Sequence, residues 1–514
     1  MASGFLVRKN QYYDSVFLMG VNKRLSQHPG VQQTAALMAT ENNKRLLADI
    51  GIHGDEIDIA KPNDLVVAVI AESPQIVEVV LESLDEALLA LEGSIPISQF
   101  RTFEEGLADK PLANLAVLSI PGEFVYREAI KALDAGLNVF IFSSNVDVEE
   151  ELRLKQSAVK KNSLVMGPDC GTSLLGGVGL GFSNVVRRGP IGAIGPSGTG
   201  LQEFTSQVHN EGYGISHAIG TGSRDLSDEI GGITTFAALE ALEDDEQTSI
   251  ISVVTKPPGE RTFGQLLTRL KTCKKPVVGC FLGAGMESLV GGDSLVLVPS
   301  IDEAVHAAIH RLNAKHAPAQ LHLTQQERDL AARTRENWHP EQRYLRGLFA
   351  GGTFCYQSQQ ILKDAGVDVY SNAPLDHQYR LTDPDQSHAH SFIDLGDETY
   401  TLGRPHPMID GTIRKQRILT ESRDPTVAIL LLDFILGYNA AMDPAGELQD
   451  AIVRAMRDAR KRGGELTVVA SICGTEEDPQ DLNLQARLLR EAGVIVFQSN
   501  ARAALFCSEL VKPG

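Results

Sequence analysis

The sequence predicts an α/β protein made of several doubly wound parallel-sheet domains, Rossmann-like and flavodoxin-like, behind an N-terminal α+β domain. Three observations predict it. Short, β-branched and almost continuously apolar runs recur along the chain, as strands covered on both faces require. Helical patterns separate them, which is the rhythm of βαβ units. At 514 residues the chain exceeds what one hydrophobic core supports, so several domains are expected.

The first hundred residues read as α+β, and no G-x-G-x-x-G follows their first strand, so a dinucleotide fingerprint is absent there. Strand candidates then follow in order: NLAVLSI (114–120), NVFIFSS (138–144), SLVMG (163–167), IGAIG (191–195), TSIISVVT (248–255) and KPVVGCFLG (275–283). YLRGLFAGG (344–352), TVAILLLDF (426–434), ELTVVASIC (465–473) and GVIVFQS (493–499) form a second series. Helices fall between them, such as VYREAIKALDAG (125–136), closed by Gly136 in the position of a C-terminal cap. Between 313 and 342 the chain is polar, rich in His and Gln, and reads as a linker with some helix. The expected division is therefore 1–105, 106–187, 188–312, a linker over 313–342, and 343–514.

Composition bounds the partners. A formal net charge of -19 repels nucleic-acid phosphates and anionic membranes. The apolar run VAILLLDFILG (427–437) is too short to span a bilayer and contains Asp433. Six cysteines without a C-x-x-C pair speak against a zinc site or a disulfide framework. The N-terminus lacks the apolar core of a signal peptide, and a reducing cytoplasm is the expected location.

The chemistry-bearing stretches sit at strand ends. In GAIGPSGTGLQEF (192–204) a strand runs into glycines and then a helix. The unpaired N–H groups of such a helix start attract an anion, glycine lets the backbone approach it, and Ser197 and Thr199 can donate hydroxyls. Ser197, Gly198, Thr199 and Gly200 are the phosphate candidates; no G-K-[ST] follows, so this is not a Walker A loop, and a Ser-capped turn without ligand is the alternative. A second such start runs from Gly437 and Asn439 to Asp443, an N-cap before Pro444. MGPDCGTSLLGG (166–177) offers Asp169 and Cys170, the latter a nucleophile or a small buried filler. Lys256 in VTKPPGE stands at a strand's carboxyl edge, where it can neutralise an anion or be plain solvated loop. GTGSRDLSDEIGG (220–232) carries Arg224. SFIDLGDETYTLGRPHPMID (391–410) reads as an irregular, proline-stiffened loop in which Arg404 can clamp a carboxylate and His406 can act as acid or base. SHAH (387–390) alone is weak evidence for a metal.

Taken together, these stretches carry a resemblance. From about 113 to 310, through IPGEFVYREAIKALDAGLNVFIF, MGPDCGT, GAIGPSGTGLQEF, GTGSRDLSDEIGG and KPVVGCFLG, the chain resembles the α subunit of succinyl-CoA synthetase. From about 343 to 510, through LFAGGTFCYQSQQIL, SFIDLGD, TVAILLLDFILGYNAAMD and LLREAGVIVF, it resembles the C-terminal domain of the β subunit. The whole is similar to the FdrA family, in which these pieces are fused, with GPDCGT, GPSGTG and GRPHPMID as its specific segments. The resemblance makes 106–187 a CoA-binding-like domain. It also exposes two departures: the loop that carries the phosphorylated histidine in the synthetases reads GAGMESLVGGDSL (283–295) here, and there is no room for an ATP-grasp domain.

What the resemblance implies is a carbamoyltransferase subunit of purine-ureide (allantoin) catabolism, phosphorolysing a ureido acid such as oxalurate to oxamate and carbamoyl phosphate. Phosphate is expected between the Gly195–Gly200 and Gly437–Asp443 loops, with Arg404, His406 and Lys256 in catalysis and Asp169, Cys170 and Arg224 on the substrate. No cofactor is required on this reading, CoA binding stays open, and partner subunits complete a homo- or hetero-oligomer. The alternatives are an acyl-CoA synthetase of succinyl-CoA ligase type and a non-catalytic phosphate-binding scaffold.

Overall fold

The computed structural model describes residues 2–512 except 12, 14, 41–42, 45–46, 49–50, 93–99, 284–293, 318–319 and 402–404. Two compact units are present, one of Met1–Thr102 with Glu398–His406, the other of Phe103–Asp397 with Pro407–Gly514.

In the first unit β1 (Ala2–Arg8), β2 (Val31–Met38) and β3 (Leu65–Ala71) form an antiparallel sheet in the order β1-β3-β2. The central strand reads LVVAVIA because it is covered twice. Leu65, Val67, Val69 and Ala71 enter one apolar cluster and Val66, Ala68 and Ile70 the other, the period-two alternation of a strand.

The second unit holds three sheets. β4 (Leu115–Leu118), β5 (Asn138–Ile141) and β6 (Val165–Met166) make a small parallel sheet. The hairpin of β7 (Thr172–Leu175) and β8 (Val178–Gly181) joins the next sheet instead, by antiparallel pairing of β7 with β10. That sheet contains β9 (Arg188–Gly195), β10 (Ile215–Gly220), β11 (Ile250–Thr255), β12 (Val277–Phe281) and β13 (Leu295–Val298), in the order β13-β12-β11-β9-β10-β7-β8. The third sheet is parallel throughout and runs β15-β16-β14-β17-β18-β19, built from Tyr344–Phe349 (β14), Tyr370–Ser371 (β15), Ser391–Asp394 (β16), Val427–Ile435 (β17), Thr467–Cys473 (β18) and Ile495–Phe497 (β19). None of these sheets among the described residues is an ATP-grasp fold, and no described helix is long and apolar enough to cross a membrane.

Strand order places the site. The chain enters the seven-stranded sheet's parallel part at β9 and goes first to β10 on one side, then to β11 on the other. It enters the six-stranded sheet at β14 and visits β15 and β16 on one side before β17 on the other. The carboxyl ends of β9 and β14 are therefore topological switch points, where diverging connections leave a crevice.

One part of the sequence reading changes here, and another gains its detail. The stretch read as an irregular loop from 391 begins with a fully buried strand, β16, which pairs with β14 in parallel. Ser391 and Asp394 are the ends of that strand, and four consecutive buried residues are too few to show a period. The polar 313–342 segment contains the helix Gln325–Glu336, opened by a Thr324/Glu327 capping box. Leu323 and Ala331 bury themselves in the core of the six-stranded half, and Arg502 pairs with Glu327 at 2.6 Å.

Candidate functional site

Each switch point launches a helix, and the two helix starts meet. After β9, Ser197 is the N-cap of the helix Gly198–Asn210 and its hydroxyl accepts from Gly200 N at 3.2 Å. After β14, the helix Gly352–Asp364 starts behind Gly351, which offers no capping side chain. Phe354 N turns back to the Gly351 carbonyl at 2.9 Å, and the N–H groups ahead of it at this helix start have no side-chain cap. Ser197 Oγ is hydrogen-bonded to Thr353 Oγ1 across the gap, and Thr199 Oγ1 lies 3.4 Å from Ser197 Oγ. The approach is close enough that a Cβ on Gly351 would stand 3.0 Å from Thr199 Cγ2. Two positive macrodipole ends and three hydroxyls thus converge, and each helix end stabilises an anion by roughly 0.3 to 2 kcal/mol.

Neighbouring strands add charge. Lys256 follows β11, the strand beside β9, and its Nζ lies 5.4 Å from the centre of the Tyr356 ring, one residue row along the Gly352 helix. Asp394 ends β16, the strand beside β14; a Cβ on Gly352 would meet Asp394 Oδ2 at 2.6 Å. Burial pushes the Asp394 carboxyl up to about 6, and the Lys256 charge pulls against that rise. On the other side of β14, Asp433 of β17 is wholly buried and accepts from Ala350 N (2.9 Å), Gly351 N (2.8 Å) and Arg414 Nη2 (2.9 Å). It fixes the turn that aims the Gly352 helix at Ser197.

The sequence-predicted residues distribute unevenly. Ser197, Gly198, Thr199 and Gly200 form the first helix start, and Lys256 stands beside the second. The sequence reading set the Ser197 start against Gly437–Asp443; the structure adds a further start, since the hydroxyl partner of Ser197 is Thr353. Gly437 N donates to Gln480 Oε1 at 3.0 Å and Asn439 Nδ2 to the Gly181 carbonyl at 2.7 Å, and the Leu436 carbonyl just before them accepts from Gln202 of the Ser197 helix at 3.1 Å. The missed signal was FAGGT (349–353), two glycines and a threonine after an apolar strand, the same grammar as GPSGT. Cys170 is buried and burial pushes its thiol up to about 12, so it is no nucleophile at neutral pH. Asp169 sits beside it with φ 53°, its N–H bonded to the Ser143 carbonyl at 2.9 Å. Arg224 is engaged by Glu151 at 3.0 Å and by the Val146 carbonyl at 2.6 Å. Arg404 lies outside the described residues, as does most of the 283–295 loop, and His406 belongs to the other compact unit.

Three family models match: a CoA-ligase model over 348–510, a CoA-binding domain over 187–262, and an "AllF, heavy metal-associated domain" over 1–96. The first two cover the two helix starts, and the CoA-binding match falls on the seven-stranded sheet rather than on 106–187. Over its whole length the chain is 40% identical to YahF of Escherichia coli K12, covering 99% of that protein. The chain belongs to the YahF family. It is also 28% identical to the succinate–CoA ligase [ADP-forming] α subunit of Aquifex aeolicus over 38% of this chain and 63% of that one. With the ADP-forming sulfoacetate–CoA ligase subunit SauD of Bilophila wadsworthia it shares 26% identity over 37% of this chain and 64% of the relative. The chain thus spans just under two thirds of the length of these ligase subunits. A dinucleotide-forming acetyl-CoA synthetase of Ca. Korarchaeum cryptofilum is matched at 18% identity and a TM-score of 0.29, covering 77% of this chain and 82% of that one.

These findings correct the expected activity. The relatives named for a reaction are CoA ligases, not carbamoyltransferases, and the matched models are of CoA-ligase type; the carbamoyl transfer and its place in allantoin catabolism are withdrawn. The scaffold is of succinyl-CoA synthetase type. The heavy-metal label on 1–96 finds no support in the donor set: that segment contains no cysteine, and no metal-ligating trio occurs there among the described residues.

Proposed function

We propose that the chain is an acyl-CoA ligase-type subunit that holds a phosphoryl group between the Ser197 and Gly352 helix starts. The observation that carries this reading is the meeting of two helix N-termini, each from a switch point, with the Ser197 and Thr353 hydroxyls in contact. An anion placed there replaces that mutual hydrogen bond by two donations to itself. As the bond between an acyl carbon and a phosphate oxygen breaks, charge grows on the leaving oxygens, and donors fixed beforehand stabilise it without reorganising. Lys256 supplies the balancing charge, and Asp394, titrating near 6, holds or releases a proton beside the site.

The acid-activating names of the ligase relatives support an organic acid and CoA as the reaction class. No histidine stands in GAGMESLVGGDSL, so phosphate from ATP has no carrier there, and nucleotide chemistry falls to a partner subunit in this proposal. The finer family name FdrA rests on GPDCGT, GPSGTG and GRPHPMID. A second reading, a phosphate-binding subunit without turnover, is favoured by the same missing histidine.

Thermal unfolding of the full chain against phosphate, CoA and ATP separates these readings. A ligand at a hundredfold over its Kd adds about 2.7 kcal/mol, which moves the midpoint visibly. The expected result is stabilisation by phosphate and by CoA, with ATP silent. Phosphate alone supports the scaffold, and silence toward all three removes the proposal.

A further inference from the structure

The far end of the Gly198–Asn210 helix gathers a different set of donors. Glu211 is the C-cap of that helix, His306 lies on the neighbouring helix Ile301–Leu312, and His316 stands in the turn that follows it. His306 Nδ1 and His316 Nε2 are 2.9 Å apart, with ring planes within 18° of each other. One ligand atom from each of Glu211, His306 and His316 lies within 4.8 Å of the others.

Two ring nitrogens at this distance cannot both carry protons, because the hydrogens would collide. Nor can both be bare, because their lone pairs would repel. One proton bridges them, and a metal ion can take that proton's place. Zinc–nitrogen bonds of about 2.0–2.1 Å at tetrahedral angles set the nitrogens about 3.3 Å apart, so the pair opens by only a few tenths of an ångström. His310, one turn beyond His306, braces the arrangement: its Nδ1 is 2.7 Å from the His316 carbonyl, which can only accept, so this nitrogen donates and ties the turn to the helix. Tyr213 adds a ring edge against His316, at 6.2 Å between centroids, and its hydroxyl accepts from Asn313 at 3.0 Å.

We propose that Glu211, His306 and His316 bind one divalent transition-metal ion of zinc type. Two imidazoles and a carboxylate match its preference, three protein ligands leave a fourth position for water, and exposed Glu211 gives entry from solvent. His310 is a positioning residue. The bound ion cross-links the end of the Gly198 helix to the helix beside it. His306 and His316, ten residues apart, leave no local spacing signal in the sequence; in SHAH, weak metal evidence from the start, His390 is half-buried and its Nδ1 accepts from Leu345 N at 3.2 Å.

The test uses the untagged full chain, stripped with chelator and titrated with Zn2+ by calorimetry and with Co2+ by visible absorption. One equivalent is expected to bind and to raise the thermal midpoint. The His306→Gln/His316→Gln double variant is expected to bind at least a hundredfold more weakly, and Glu211→Gln, altered only at an exposed side chain, about tenfold more weakly. His310→Ala should lower affinity while leaving the Co2+ spectrum of the loaded protein unchanged. Equal Zn2+ affinity in wild type and Glu211→Gln, together with no Co2+ ligand-field band in wild type, overturns the site.

Discussion

Asp433→Ala is expected to destabilise the larger unit by about 3–5 kcal/mol, the usual cost of removing one partner of a buried ion pair. Arg414, only 3% exposed, would lose its hydrogen-bonded counter-ion, and the amides of Ala350 and Gly351 would lose their acceptor. Replacing both partners, as in Asp433→Ala with Arg414→Met, is expected to recover part of the loss, because no lone charge is then left buried. Urea or thermal unfolding measures this directly. A loss below about 1 kcal/mol for Asp433→Ala would mean that the pair does not set the turn before Gly352. Functionally, the single variant should also bind phosphate less well than its residual stability alone would suggest, since its turn aims the second helix start.

The second large effect concerns charge beside the helix starts. Lys256→Met is expected to weaken sulfate binding about tenfold, in line with the worth of a charge-assisted contact, with little change in stability because Lys256 is only half-buried. Sulfate is the right probe, since it does not itself titrate near neutrality. Asp394 acts in the opposite direction. Burial raises its carboxyl to about 6, so the neutral acid is the form favoured by folding. That stabilisation is complete below the unfolded carboxylate range and is lost as pH rises through about 6. Over the same interval a negative charge appears next to Gly352, and sulfate affinity should fall. Asp394→Asn should flatten that fall and bind sulfate more tightly than wild type above pH 6. An identical pH profile in Asp394→Asn would remove the carboxyl from the site.

Much of the fold was legible because its strands obey a simple rule. Runs such as VAILLLDFI are apolar at all but one position, Asp433, since both faces of the sheet are covered, and all nine residues are buried. The GPSGTG start was legible for a similar reason: strand, glycines and a hydroxyl cap are a local pattern. What was not legible is non-local. Which second helix start faces Ser197 depends on strand order, and β14 and β17 are sequence-distant neighbours whose ends both finish in glycine-bearing loops. Gly437 and Gly351 end similar local patterns, and the contact of Thr353 with Ser197 is visible only in three dimensions. Asp433 was noted only as a charge within an apolar run. Its role as acceptor for the turn after the adjacent strand follows from parallel register, which no local pattern announces.

The reach of a resemblance ends at a comparable point. GAIGPSGTGLQEF and LFAGGTFCYQSQQIL led to the succinyl-CoA synthetase scaffold, and the family matches over 187–262 and 348–510 agree with it. The chemistry inferred from the finer family did not survive. Scaffolds transmit strand order and helix starts, whereas reaction type depends on side chains that can change without disturbing either.

The central claim is that the Ser197 and Gly352 helix starts together bind a phosphoryl anion. Calorimetric titration of inorganic phosphate into wild type and into the Ser197→Ala/Thr353→Val double variant tests it most directly. One site per chain is expected in wild type, weakened at least tenfold in the variant while its unfolding midpoint stays near that of wild type. Equal phosphate affinity in the two proteins would contradict the claim and leave the meeting of the two helices a purely structural contact.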